Sequence, residues 1–323
     1  MRGGADLKRS FLIGSRGSDL ALTQSRFFKA ALEAAFPDVS FGIEIIKTTG
    51  DAIRDVSFAK IGGKGVFTKE IEEALLSGGI DFAVHSLKDL PTRLPEGLAL
   101  GAVSARETPN DAFISGRYHS IDELPRGARV ATGSIRRRSQ LLNSRPDLEI
   151  LEIRGNVGTR IEKANSTEID GSILACAGLY RLGLQSHIRQ VIPTSIMLPA
   201  VGQGVLGIEI RADDDDATRI VTAFNDKTVE ACIQAERAFL GQLEGGCRAP
   251  IGALAEMRDG IISLAGYVGG YDGRDAIRDS LSGQAGDSAE IGHQLAAKFI
   301  DAGAAEILAA ARDAESDSAA GVV

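Results

Sequence analysis

Phe11-Leu12-Ile13-Gly14-Ser15-Arg16-Gly17-Ser18 runs from an apolar strand through a glycine-rich turn into a helix. The apolar run is short and ends on turn residues, which reads as a strand. Residues 18–35 follow, with Leu20, Phe27, Phe28, Ala31 and Leu32 at helical spacing and expected inward. The same punctuation recurs down the chain. A strand is expected at 41–46, then a helix capped by Thr68, with Glu70 and Glu72 in its first turn and Gly78-Gly79 at its end. Further strands are read at 80–86, 98–103, 129–132, 149–153 and 173–175. This alternation predicts an α/β fold, with mainly parallel sheets covered by helices.

The length of 323 residues predicts two or three domains. Boundaries are read near 104–110 and 198–204, where prolines and glycines cluster. A strand at 206–210 leads into the acidic residues 213–216, read as a solvated turn in preference to a metal site. From Thr228 on, a helix, a cysteine loop and strands at 253–256 and 261–267 predict a small α+β domain. The tail from Glu315, rich in Ser, Ala and Gly, is expected to be disordered.

Hydrophobic residues make up 44% of the chain and charged residues 25%, as in an ordinary soluble protein. No apolar run approaches the roughly 20 residues that cross a bilayer, and no secretory signal is read at the N-terminus. A cytoplasmic protein is expected. Three cysteines, an odd count, make no disulfide framework, and Cys176 and Cys232 read as core residues. The net charge of −8 argues against nucleic acid as a partner. Residues 126–163 nevertheless hold nine basic and four acidic side chains, a local excess of +5 that points to a local anionic ligand.

Four stretches carry chemistry. The turn Gly14-Ser15-Arg16-Gly17-Ser18 offers backbone N–H groups and a forked guanidinium to an anion, although many α/β proteins use such a turn structurally. Val84-His85-Ser86-Leu87-Lys88-Asp89-Leu90-Pro91 sits at a strand end, where α/β sites lie. Lys88 and Asp89 there read either as an exposed pair or as an oriented one, and His85 as a packed strand residue. Ala131-Thr132-Gly133-Ser134-Ile135-Arg136-Arg137-Arg138 puts arginines at a helix start, against the dipole, which implies an offsetting anion. Arg154, Gly155 and Arg160 repeat the theme, and Arg181 follows. Finally, Leu243-Glu244-Gly245-Gly246-Cys247-Arg248-Ala249-Pro250-Ile251-Gly252 holds a cysteine between glycines and an arginine, which reads either as a small buried hydrophobe or as an accessible thiolate nucleophile.

Together with Lys60-Ile61-Gly62-Gly63-Lys64-Gly65-Val66-Phe67 and Leu198-Pro199-Ala200-Val201-Gly202-Gln203-Gly204, these motifs resemble the porphobilinogen deaminase (hydroxymethylbilane synthase) family from about residue 11 to 252. The resemblance implies two lobes like those of periplasmic binding proteins, residues 8–104 with 205–222 and residues 105–204. A C-terminal α+β domain, 223–314, would follow, then the tail 315–323. It implies a monomeric transferase that joins four porphobilinogen molecules head to tail, with loss of ammonia, on a dipyrromethane attached to Cys247. By motif position Asp89 is the catalytic carboxylate. Ser86, Lys88, Asp89, Thr132, Ser134, Arg136, Arg137, Gly155 and Arg160 fall to the cofactor. Arg16, Ser18, Arg154, Arg160, Arg181 and Gln203 fall to substrate. Lys60, Lys64 and Phe67 belong to a loop over the cleft. No metal, nucleic acid or membrane is implied. Gly133 departs from the family's serine and costs one hydroxyl; Arg138 goes beyond the pattern and is expected to face solvent. A non-catalytic, two-lobed carboxylate sensor is the competing class.

Overall fold

The computed structural model describes Lys8 and residues 10–49, 68–243 and 249–320, with the backbone alone for 318–320. The chain divides into two compact units. One comprises residues 1–56, 61–105 and 205–230; the other comprises 57–60, 106–204 and 231–323.

The first unit is built on a five-stranded sheet of order β2-β1-β3-β10-β4. Strands β1 (Ser10–Ser15), β2 (Ser40–Ile45) and β3 (Phe82–Ser86) run parallel, while β10 (Leu206–Arg211) lies antiparallel between β3 and β4 (Leu98–Val103). Helices α1 (Asp19–Ala35), α2 (Lys69–Leu76) and α6 (Asp215–Thr222) pack on it. Phe11, Phe28, Phe41 and Phe82 form the aromatic centre, with Phe28 edge-on to Phe82 at 5.7 Å between centroids.

The second unit contains a sheet of the same kind, order β7-β6-β8-β5-β9. Here β6 (Arg129–Ala131), β7 (Glu149–Leu151) and β8 (Gly171–Ala175) are parallel, and β5 (Asp111–Ile114) is antiparallel to β8 and β9 (Gln190–Val191). Its helices are α3 (Ile135–Ser144), α4 (Val157–Ala164) and α5 (Cys176–Arg181). In both sheets the fourth position belongs to a strand that enters directly from a passage between the units, β10 after residue 204 and β5 after residue 105. The unit also holds an antiparallel meander, β11 (Ile251–Arg258), β12 (Ile261–Gly269) and β13 (Ala276–Gln284). It is covered by α7 (Lys227–Gln242, in this unit from Ala231), α8 (Ser288–Asp301) and α9 (Ala304–Ala320). Phe239 and Phe299 meet edge-on at 5.1 Å, over Gly266, where a Cβ would lie 2.7 Å from the Phe239 ring.

Several expectations are corrected. Phe27 is 60% exposed, because the buried stripe of α1 runs through Gln24, Ser25, Phe28 and Leu32, and Phe27 reaches only the edge of Phe224. Thr68 precedes α2, but its own backbone is already helical and its hydroxyl makes no cap. The acidic run 213–216 is not a turn alone: Asp214 accepts from Ala217 N at 2.8 Å and starts α6, as a carboxylate at the positive end of a helix should. Helix α9 extends to Ala320, into the stretch expected to be disordered. Arg138 does not face solvent; its guanidinium lies 4.2 Å from the Tyr271 ring centroid and Nε donates to the Tyr271 carbonyl.

Candidate active site

In the first unit the motif residues collect at the C-terminal ends of β1 and β3, which are neighbours in the sheet. Arg16 and Ser18 follow β1; Ser18 caps α1, its hydroxyl accepting from Ala21 N at 3.4 Å. Ser86 ends β3 and accepts from Gln24 Nε2 of α1 at 2.9 Å, so one bond ties the helix to the strand end. The chain then makes a 3-10 turn, Leu87–Asp89. Leu87 and Leu90 are buried on either side, while Lys88 is half-buried and Asp89 exposed. The turn is anchored by Leu87 N donating to Val205 O at 2.9 Å. His85 is buried against β10, with Nε2 3.0 Å from Glu209 Oε2.

In the second unit the equivalent strand end, β6, leads into α3. Thr132 Oγ1 accepts from Ser134 N at 3.2 Å, and Ser134 caps the helix by accepting from Arg137 N at 3.4 Å. Both serine caps keep an O–H to donate, so capping and anion binding are compatible. Gly133 fits closely: a Cβ would sit 3.0 Å from the Ile153 carbonyl, so a side chain there would press on that backbone.

Arg136 and Arg137 are each 5% exposed and meet one fully buried carboxylate. Arg136 Nη1 donates to Asp111 Oδ2 at 2.8 Å and to Leu198 O at 2.6 Å. Arg137 gives Nε and Nη2 to Asp111 Oδ1 at 3.0 and 2.7 Å, and Nη1 to Ile173 O at 3.0 Å. Burial raises the Asp111 pKa, but the two guanidiniums outweigh it and hold the carboxyl well below the usual range. The amide nitrogen of Gln203, expected on substrate, is spent inside the protein: it donates to Asp111 Oδ1 at 2.9 Å and Pro109 O at 2.6 Å. Sequence reasoning missed Asp111 as a member of this group.

Gly155 has φ 112°, closed to other residues, and a Cβ there would meet Thr159 at 2.8 Å. Its carbonyl accepts from Arg160 Nε at 2.9 Å, and Asn156 beside it caps α4. Arg154 Nη2 lies 2.5 Å from Glu152 Oε1. Arg181 donates Nη2 to Gly204 O at 2.7 Å, and burial lowers its pKa. Among the remaining cysteines, burial pushes the Cys176 thiol up to about 12, so it is no nucleophile at neutral pH. Cys247, Lys60, Lys64 and Phe67 lie outside the described residues. No helix among the described residues is long and apolar enough to cross a membrane, and no cluster of ligating side chains suits a metal.

Residues 11–219 match the family model described as porphobilinogen deaminase, dipyromethane cofactor binding domain, and residues 230–301 match porphobilinogen deaminase, C-terminal domain. The chain is 49% identical over 306 residues to a porphobilinogen deaminase of Desulforudis audaxviator, covering 95% of this chain and 99% of that one. It is 46% identical over 306 residues to a porphobilinogen deaminase of Chlorobaculum tepidum, covering 94% and 98%. Among solved structures, the methionine binding protein MetQ aligns over 67% of this chain and 90% of its own, with 14% identity and a TM-score of 0.44.

Proposed function

The chain belongs to the porphobilinogen deaminase family, and from that premise we propose that it joins four porphobilinogen molecules, each losing ammonia, and that water then supplies the terminal hydroxyl of the released hydroxymethylbilane. The observation that supports this reading is made in each unit by itself. Serine-capped helix starts and arginines stand at strand ends, and Asp89 is exposed on a backbone turn anchored by buried leucines. The sensor alternative gives no reason for membership in an enzyme family.

The donor set suits a dipyrromethane, whose acetate and propionate groups need cationic and hydroxyl partners. Ser86, Lys88, Thr132, Ser134, Arg136 and Arg160 are assigned to it as donors, with Arg137 beside Arg136 on Asp111 and Gly155 holding Arg160. When bound, through a thioether at Cys247, it supplies the pyrrole end that each substrate unit extends. Arg16, Ser18, Arg154 and Arg181 are assigned to the carboxylates of incoming porphobilinogen, and Gln203, assigned with them, braces Arg136 and Arg137 through Asp111. Asp89 stabilises positive charge as it develops on the substrate's pyrrole nitrogen, an interaction stronger in the transition state than before it. We read the enzyme as a cytoplasmic monomer without nucleic-acid or membrane partners, in keeping with its charge of −8. The lobes are assigned as 8–104 with 205–222 and 105–204, with 223–314 as a third domain.

An intact-mass spectrum of the purified full chain tests the proposal. The expected result is an added mass of two linked pyrroles, located on Cys247 and lost in Cys247→Ser. An unmodified wild-type mass without porphobilinogen consumption, or the pyrroles found on Cys176 or Cys232, would overturn it.

A further inference from the structure

Two guanidiniums at the start of a helix repel each other and oppose its dipole, and burial compounds the cost. Asp111, the first residue of β5, supplies an offsetting anion from within the fold. Its two oxygens divide the arginines unequally. Oδ1 takes two nitrogens of Arg137 as well as Gln203 Nε2, and the third nitrogen of Arg137 goes to the Ile173 carbonyl. Oδ2 takes only Nη1 of Arg136. Among the described residues, therefore, every nitrogen of Arg137 is engaged, whereas Nε and Nη2 of Arg136 make no hydrogen bond.

Resting on the cofactor reading above, we infer that Asp111 is a positioning residue: it consumes Arg137 as an internal strut, leaves Arg136 as the arm that meets the cofactor, and sets the trio's net charge at +1, suited to one carboxylate. The carboxylate is held from three sides. Its backbone pairs with Ala175 of β8, Gln203 fixes Oδ1 from the segment that leads out of the unit, and Arg136 is itself tied to Leu198 O. A planar guanidinium anchored through one nitrogen keeps a fixed opposite edge, the geometry that two-pronged carboxylate recognition needs.

The test uses three full-length variants, each checked for folding by thermal unfolding, with cofactor attachment read by intact mass. Asp111→Asn keeps the shape but raises the trio to +2 and loosens both arginines; the folded protein should carry the pyrrole pair at least about tenfold less often than wild type. Arg137→Gln leaves Asp111 facing Arg136 alone, at net zero, and should also lose attachment. Asp111→Asn combined with Arg137→Gln returns the site to +1 with Arg136 intact, and should recover most of it. An aspartate that merely supports the fold would lower the melting temperature in Asp111→Asn while attachment stayed complete, which would overturn the inference. So would a folded double variant as bare as Arg137→Gln, since that result makes Arg137 itself the binding arm. Should Asp111→Asn fail to fold, Arg137→Gln against the double variant decides, because removing both members of a buried pair is tolerated where removing one is not. A wild-type chain without the pyrrole pair would overturn the cofactor reading and this inference with it; normal attachment in wild type and in Asp111→Asn alike overturns only the inference.

Discussion

Asp89 ends a 3-10 turn whose neighbours Leu87 and Leu90 are 2% and 4% exposed, so its backbone is fixed while its carboxylate stays accessible. A preorganised charge of this kind acts only as positive charge develops opposite it. Asp89→Asn keeps the size and one acceptor, so the protein should fold and keep its cofactor, while turnover falls by about a hundredfold or more. Asp89→Glu keeps the charge but displaces it by one methylene and should retain more activity than Asn. Timed porphobilinogen consumption by cofactor-loaded enzyme measures both, and an Asn variant as fast as wild type would remove Asp89 from the mechanism. The exposed place of Asp89 at a strand end was legible in the sequence because that signal is local, a charged pair before a proline, while its role came from the family resemblance. Asp111 was not. Its importance comes from partners 25, 26 and 92 residues away, and no spacing rule joins a strand's first residue to a later helix.

At the scale of elements, most strands buried on both faces were read from their apolar runs, although β5, four residues opening on Asp111, was not. Strand β10 covers the expected 206–210, and β8 the expected 173–175. β13 was missed for the opposite reason: it is the edge of its sheet, most of its residues are exposed, and Ala276–Gln284 is too polar to announce itself. Helix starts were legible where a serine stood free to turn back, as at Ser18 and Ser134, and misread at Thr68, whose own backbone is helical. The Ser134 cap carries a prediction. Ser134→Ala removes the acceptor for Arg137 N and should cost about 1 kcal/mol, whereas Ser134→Gly should cost only a few tenths. Denaturant midpoints against wild type measure both losses; an Ala variant as stable as wild type would mean that the hydroxyl does not cap α3.

Across the whole molecule, the chain passes from one unit to the other after residue 105 and back after residue 204. On the second unit's side these two passages are bonded to each other: Glu107 N donates to Gly204 O at 3.0 Å, and Arg106 Nη1 to Gln203 O at 3.4 Å. A single carboxylate of α7 locks the junction. Glu236 is fully buried; Oε1 accepts from Arg106 Nη2 at 2.6 Å and Ala255 N at 2.9 Å, and Oε2 from Gly202 N at 2.8 Å. Both passages and the first strand of the meander thus depend on one side chain, whose role the sequence hid behind the adjoining cysteine loop. Glu236→Ala strands a largely buried guanidinium and two backbone N–H groups, and should cost about 3–5 kcal/mol. For a unit of this size the loss corresponds to a melting point lower by on the order of 10 °C. Glu236→Gln has one oxygen for three donors and turns an amide nitrogen toward an N–H, so it should fall between Ala and wild type. Because a protein of two units need not unfold in one step, scanning calorimetry is the suitable measurement. If two transitions resolve, only the second unit's should drop. An Ala variant that melts with wild type would show that the passages are held without Glu236, by Glu107, Gln203 and the backbone alone.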